Sequence, residues 1–374
     1  MNDSKKRTWA EISLKSIESN ILAMRGAFPA GTRFLGVVKA DAYGHGALRV
    51  ADMIERETLA EYLAVSCIDE AAELRGGGIK SPILIMGYTP TELAPELQGM
   101  RITQAVGDIK SAIEMSALLK SPLKVHLKLE TGMGRTGFDP RNQNFDRDML
   151  ELFSLPNIEV EGAFTHFAAS DEPENGFAPI QFSAFKDALE RIEGLTGKCV
   201  EIVHCANSGA VINYKEYGLD MIRPGIATYG IYPGAERGGI ELLPAMQLKS
   251  RITHIYDHFP GDTVSYGRTY TLTEKRRIAV LPIGYADGLH RIGSGKYEFL
   301  LAGRRVKQLG RVCMDMCMID VTGITGCESG DVVTVFGSDG ESFISVEEQA
   351  EKAGTISYEL LCSVSRRVPR IYTD

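Results

Sequence analysis

The sequence lacks most of what would place it at a membrane or on a nucleic acid. No apolar run in its 374 residues approaches the ~20 residues that a membrane-spanning helix needs. The opening MNDSKKRTWAEISL carries charge but no apolar stretch behind it, unlike a secretory leader. Basic residues are in the minority: 41 Lys and Arg stand against 49 Asp and Glu, a formal net charge of −8. A nucleic-acid binder, or a protein held on an anionic membrane, normally shows the opposite balance. These absences point to a cytoplasmic protein that works on small molecules, with neither nucleic acid nor membrane as a partner.

Cysteine offers no framework either. The seven residues, Cys67, Cys199, Cys205, Cys313, Cys317, Cys327 and Cys362, are odd in number and irregularly spaced, so they read as reduced thiols. Cys313 and Cys317 have a metal-like spacing, but RVCMDMCMID around them reads as a strand. No second Cys or His pair follows at zinc-ligand distance, and no metal is expected. Low-complexity linkers are absent as well. What remains is ordinary for a globular chain, with 44% apolar and 24% charged residues. The length exceeds the ~250–300 residues at which single cores stop growing, so two domains are expected.

Through residue 230 one unit recurs: a short apolar run ending in polar residues or Gly, then an amphipathic stretch. The runs are 34–40, 62–67, 82–87, 102–106, 124–130, 160–167, 199–206 and 221–230. Between them lie helix-like segments such as 47–57, 67–78 and 179–194. Eight alternating strand and helix signals predict a (β/α)8 TIM-type barrel over 11–238, because parallel strands buried on both faces read as continuous apolar runs. After 238 the texture changes to β-branched alternation with turn signals, which predicts a mainly-β domain over 239–374. The strand-like start, residues 1–10, could join that second domain.

A barrel of this kind keeps its active site at the C-terminal ends of its strands. There the sequence places reactive side chains: Lys39 ends the first run, Lys128 and Glu130 the fifth, His166 the sixth and His204 the seventh, while Arg223 lies in the eighth. The apolar FLGVV before Lys39 would desolvate its amine, lower its pKa and make it a nucleophile towards an aldehyde. An isolated lysine there could equally snorkel to solvent. Phosphate-bearing ligands of such barrels are often held by backbone N–H groups after strands seven and eight. ANSGA (206–210) and RPGIATYG (223–230) offer the Ser208 hydroxyl and the amides of Gly225 and Ile226 there, although Asn, Ser and Gly also simply make turns.

The string VVKADAYGHG (37–46), with HLKLETGMGR (126–135), THFAASDE (165–172), HCANSGA (204–210), RPGIATYG, SYGRTY (265–270), IGYADGL (283–289), RVCMDM (311–316) and TISYE (355–359), resembles the alanine racemases over nearly the whole chain. The resemblance implies a barrel carrying pyridoxal 5′-phosphate as a Schiff base on Lys39, a C-terminal β domain, and a homodimer whose two sites each borrow residues from the other copy. It implies interconversion of L- and D-alanine, supplying D-alanine for peptidoglycan. Tyr43, Ser208, Gly225, Ile226 and Tyr358 would surround the phosphate. Arg223 would face the pyridine nitrogen, with His204 orienting it and His166 beside the ring. A guanidinium neither accepts a proton nor readily gives one up, so the cofactor becomes a weaker electron sink and side reactions are discouraged.

Racemisation needs a proton taken from one face of Cα and returned to the other. Lys39 would serve one face, and Tyr266 from the second copy would serve the opposite one. A tyrosine titrates near ~10 unless a neighbouring cation depresses it, a part the resemblance gives to His166. Arg135 would bind the substrate carboxylate, with Met314 and Asp315 of the second copy as the far wall. Asp171, Tyr285 and Arg291 would line the access channel. Lys128 resembles a lysine that many members carry as a carbamate bracing Arg135; a simple pairing with Glu130 is the alternative. Glu130 stands where the family often has Asp, and Ser357 where it often has Pro. A pyridoxal-dependent decarboxylase, a non-catalytic pyridoxal carrier and a racemase of serine or another small amino acid are the competing readings. The first two leave SYGRTY, RVCMDM and the β domain without a use. The third differs only by a hydroxyl that an apolar pocket discriminates weakly.

Overall fold

The computed structural model of the chain describes residues 6–374. Eight parallel strands wind into a nearly closed barrel. With β1 given to Thr8–Ser13, they are β2 (Arg33–Val37), β3 (Tyr62–Val65), β4 (Ile83–Ile85), β5 (Ile102–Val106), β6 (Leu123–Lys128), β7 (Ile158–Phe164), β8 (Ile202–His204) and β9 (Met221–Ile222). Their order is β8-β7-β6-β5-β4-β3-β2-β9, and each of the eight apolar runs overlaps one of them. The strands are apolar without alternation because both faces are covered: Leu63, Ala64, Val65, Ile83, Leu84 and Ile85 are all fully buried. Between β8 and β9 the ladder gives way to irregular bonds. Asp220 N–H donates to the Val203 carbonyl at 3.1 Å, its carboxylate accepts from Val203 N–H at 2.8 Å, and Arg223 N–H donates to the Ala206 carbonyl at 2.8 Å.

By contact density the chain forms two compact units. One comprises Ser16–Ala42 and Ala47–Leu243, which hold the barrel; the other comprises the chain up to Lys15, Tyr43–Gly46 and Pro244–Asp374. Of the expected strand over residues 1–10, residues 1–5 lie outside the described part. In the second unit β1 runs antiparallel to Met246–Arg251 and parallel to Arg370–Thr373, inside a ten-stranded sheet. The helix signal near the end resolves into Val346–Lys352 and Ser357–Ser363. RVCMDMCMID is a strand only over Cys317–Asp320. Its first half is a loop, closed by a bond from Cys313 N–H to the Met316 carbonyl at 2.9 Å, and Met314 and Met316 stand exposed where strand alternation would have paired them. Among the described residues no helix is long and apolar enough to cross a membrane.

Asp287 is the buried charge of the second unit. It is fully enclosed and takes hydrogen bonds from Arg7 (2.7 Å), Arg367 (2.8 Å) and Gly284 N–H (2.9 Å). Burial alone would raise its carboxyl pKa, but the bonds from Arg367, Arg7 and Gly284 outweigh that and hold it below the ordinary range. A depressed folded-state pKa stabilises the native state above the unfolded value near ~4 and loses that contribution as pH falls through the folded one. Asp287→Asn is therefore expected to cost about 2–4 kcal/mol near neutral pH. The difference from wild type should shrink on acidification, as followed by denaturant melts over a pH series.

Candidate functional site

The barrel places its reactive side chains at the C-terminal ends of its strands, as such barrels do. Lys39 follows β2, Lys128 ends β6, His166 follows β7, His204 ends β8 and Arg223 follows β9. After Lys39 the backbone takes an uncommon course: Ala40, Asp41, Ala42 and Tyr43 all have φ between 52° and 54°. Left-handed non-glycine residues cost about 1–2 kcal/mol each, so such a run persists only where other bonds fix it. Those bonds are present: Ala40 N–H donates to Glu70 (2.6 Å), Ala42 N–H to the Val38 carbonyl (2.9 Å), and the Asp41 carboxylate accepts from Ala47 N–H (2.8 Å).

Arg223 is buried and spends both terminal nitrogens inside the barrel. Nη1 donates to His204 Nδ1 at 2.9 Å, and Nη2 to the carbonyls of Thr165 (2.9 Å) and Cys205 (3.4 Å). Its Nε takes part in none of these bonds. Phe164 stacks on the His204 ring (centroids 5.0 Å apart, planes 8° apart) and lies under both Arg223 and the Lys128 amine. Burial pulls the guanidinium down to about 10. Burial and the neighbouring Arg223 and His126 keep His204 well below the ordinary histidine range.

Ser208 Oγ accepts from Gly225 N–H at 2.9 Å and from Ala227 N–H at 3.3 Å. A hydroxyl has two lone pairs and one proton, so this serine keeps its proton to donate. Ile226 is fully buried in the short turn Ile226–Tyr229, and the Tyr229 hydroxyl ties that turn to the Val37 carbonyl at 2.8 Å.

Lys128 is buried, and its Nζ has no hydrogen-bond partner. Burial, then Arg223 and Arg135, bring its amine down to about 7. It borders a cavity of about 310 Å³ with Thr89, Gln104 and Gly137. The pairing of Lys128 with Glu130 is not formed. Glu130 instead accepts from Gly132 N–H (2.6 Å), Gly134 N–H (3.0 Å) and Arg135 N–H (3.1 Å), clamping the loop that carries the exposed Arg135. His166 is partly buried; burial and the charges of Arg223, Lys128, Arg135 and Lys39 hold it well below the ordinary range. Held that low, it is a neutral imidazole near neutral pH and meets a neighbour by hydrogen bonding.

Three further groups lie in the other unit. Tyr43 and Tyr358 face each other with ring centroids 6.1 Å apart, and burial, then Tyr358 and Cys362, raise the Tyr43 hydroxyl pKa. Tyr266, which is 68% exposed, lines a depression with Gly267, Cys313, Met314 and Asp315. Arg367 fixes its rim by bonding Asp315 at 2.7 Å and Asp287 at 2.8 Å. Tyr285 and Arg291 line a separate hollow. Asp171, in the barrel unit, is half-buried beside Gly209, where a Cβ would meet the Asp171 nitrogen at 2.6 Å. His126, Glu161 and Phe164 escape sequence reading because they sit inside strand-like runs and end none of them. The one available signal was two polar residues, His126 and Glu161, within runs otherwise buried on both faces.

Known proteins resemble this chain over its full length. The model of the alanine racemase N-terminal domain matches residues 12–233, and that of the C-terminal domain matches 245–372. An alanine racemase of Clostridium perfringens is 44% identical over 97% of this chain and 95% of its own length. One of Methanococcus maripaludis is 43% identical over 97% of this chain and 98% of its own. Among solved structures, the alanine racemase of Clostridium difficile 630 superposes with a TM-score of 0.92 at 39% identity, covering 99% of this chain and 96% of that one. One from Bacillus anthracis with bound L-Ala-P gives 0.92 at 33%, covering 99% and 95%.

The Glu130 clamp yields a local expectation. Glu130→Ala should speed hydrogen exchange of the Gly132, Gly134 and Arg135 amides by about tenfold or more, since each loses a charge-assisted bond. Unchanged protection would mean the loop is held by something else.

Proposed function

Because the chain belongs to the alanine racemase family, we propose that it interconverts L- and D-alanine with pyridoxal 5′-phosphate held at the barrel mouth, Lys39 and Tyr266 exchanging the Cα proton from opposite faces. The observation that carries this reading is the charge arrangement of the mouth: Lys39, Lys128, Arg135 and Arg223 surround one neutral imidazole, His166. Basic side chains gathered at one mouth favour anions, and a phosphate and a substrate carboxylate supply them.

The residues present fit the cofactor. The Ser208 proton and the Ile226 amide suit a phosphate, Lys39 suits the aldehyde, and Arg223 Nε is a donor left over for a ring nitrogen. When bound, pyridoxal phosphate draws electrons from Cα and so acidifies its hydrogen. Lys39 Nζ takes or returns that proton on one face. Tyr266 Oη of a second copy does so on the other, which accords with its exposure in a Met-lined depression. His166, being neutral, would orient the Tyr266 hydroxyl. Arg135 holds the substrate carboxylate, with Met314 and Asp315 of the second copy behind it. Asp171, Tyr285 and Arg291 would border the approach.

Lys128 is suited to carbamylation. An amine near 7 is half neutral at physiological pH, its Nζ is buried without a partner, and a cavity adjoins it. Its lone pair adds to the carbon of carbon dioxide and its proton leaves to solvent, giving an anion that braces Arg135.

Incubation with L-alanine in deuterated water should give D-alanine carrying deuterium at Cα, faster than the corresponding reaction of L-serine. No D-product from a protein with bound cofactor would refute the reading and favour decarboxylation. Tyr266→Phe should slow exchange from one antipode about a hundredfold or more and from the other far less, the usual scale for losing a general acid or base. Equal loss for both antipodes would contradict the two-face assignment.

A further inference from the structure

From the mouth towards the N-terminal ends of the strands runs a file of polar side chains through a core that is otherwise apolar. Arg223 Nη1 donates to His204 Nδ1 (2.9 Å), and His204 Nε2 lies 2.8 Å from His126 Nδ1. His126 Nε2 lies 3.4 Å from Glu161 Oε2, a contact looser than an ordinary hydrogen bond. Glu161 accepts from the Tyr62 hydroxyl at 2.8 Å and from the Lys124 amine, whose side chain is half exposed. Both histidines are completely buried.

The proton on each ring follows by elimination. A guanidinium has donors only, so His204 Nδ1 must be bare. A neutral imidazole then carries its proton on Nε2, which must donate to His126 Nδ1. That nitrogen is therefore bare too, and the His126 proton sits on Nε2, aimed at the Glu161 carboxylate. Any other arrangement sets two donors face to face. Protonating either ring does so as well, because a second proton would occupy one of the two bare nitrogens. The Glu161 carboxylate is the acceptor the file needs at its far end. Burial pushes its pKa up, but the bonds with His126, Lys124 and Tyr62 bring it down to about 2, so it is ionised. The file also has a steric requirement: a Cβ at residue 162 would lie 2.6–2.7 Å from three His126 ring atoms, so only glycine leaves space for the ring.

We propose that Glu161 is a positioning residue for Arg223, fixing the Nε2–H form of His126 and, through it, that of His204, so that the guanidinium is held in one orientation with Nε turned to the mouth. The catalytic consequence rests on the reading of Arg223 as the group that meets the cofactor; the proton order does not.

Histidine-selective nitrogen labelling of the full-length protein with its cofactor, read by long-range nitrogen–proton correlation, reports each tautomer. His126→Gln and His204→Gln assign the signals. Both rings are expected as Nε2–H. Glu161→Leu should make the His126 Nε2–H exchange with solvent about tenfold faster or more, through loss of its acceptor. It should also lower kcat about tenfold with little change in KM, the scale typical of groups that orient a residue touching the reaction centre. Glu161→Gln, which keeps an acceptor oxygen, should recover most of both. A ring protonated on Nδ1 in the wild type overturns the proposal, as does a Glu161→Leu protein whose Nε2–H signals and kcat are unchanged. Should that variant not fold, Gly162→Ala, whose methyl presses on the His126 ring, must disturb the same signals, and undisturbed signals overturn the proposal. Loss of racemisation in the wild type with the proton order intact would refute the functional reading and leave this one standing.

Discussion

The barrel mouth depends on the inability of one buried guanidinium to accept a hydrogen bond. Arg223 dictates an acceptor at every neighbour: His204 Nδ1, the Thr165 carbonyl and the Cys205 carbonyl all present lone pairs to it. Three of its five N–H groups are spent in this way, and Nε–H is among those left for a ligand. A ring nitrogen meeting such a donor is hydrogen-bonded but not protonated, since an arginine at about 10 still holds its proton firmly at neutral pH. A pyridoxal phosphate held there would be a weaker electron sink, which would favour proton return by the flanking residues over other outcomes. On the proposed reading, selectivity for racemisation over side reactions would trace to a donor-only side chain set in an otherwise apolar core.

The same economy of charge shapes the rest of the site. Basic side chains converge on His166, while Glu130 spends its carboxylate on the backbone amides of the 131–135 loop. The Lys128 amine falls to about 7 and His166 stays neutral. A phosphate and a carboxylate bound there, as proposed, would relieve this repulsion. Strain contributes too: the left-handed run after Lys39 is an unfavourable backbone held by Glu70 and Asp41, which fixes the direction in which the chain leaves β2.

The barrel was legible in the sequence because parallel strands buried on both faces leave an unmistakable apolar run, and because reactive residues ending those runs must fall at one mouth. Residues whose roles lie in strand interiors were not legible. His126 and Glu161 look like ordinary polar positions of half-exposed strands until the closed sheet shows them facing inward. Glu130 sits two residues from Lys128 and invites an ion pair, yet three backbone amides nearby are better partners than one desolvated amine. RVCMDM alternates like a strand but follows Gly310, whose φ of 66° and approach to the Val264 carbonyl end the ladder there. In each case a non-local partner decided what local pattern could not.

The central claim, that each site joins Lys39 of one copy to Tyr266 of another, has a direct measurement. The Lys39→Ala and Tyr266→Phe proteins, each nearly inactive alone, are mixed, dissociated and reassociated. In a hybrid pair one site has both residues intact and the other has neither, so random reassociation should restore about a quarter of wild-type activity. A mixture that stays as inactive as its components, although hybrids form, would show that the two residues do not share a site across copies.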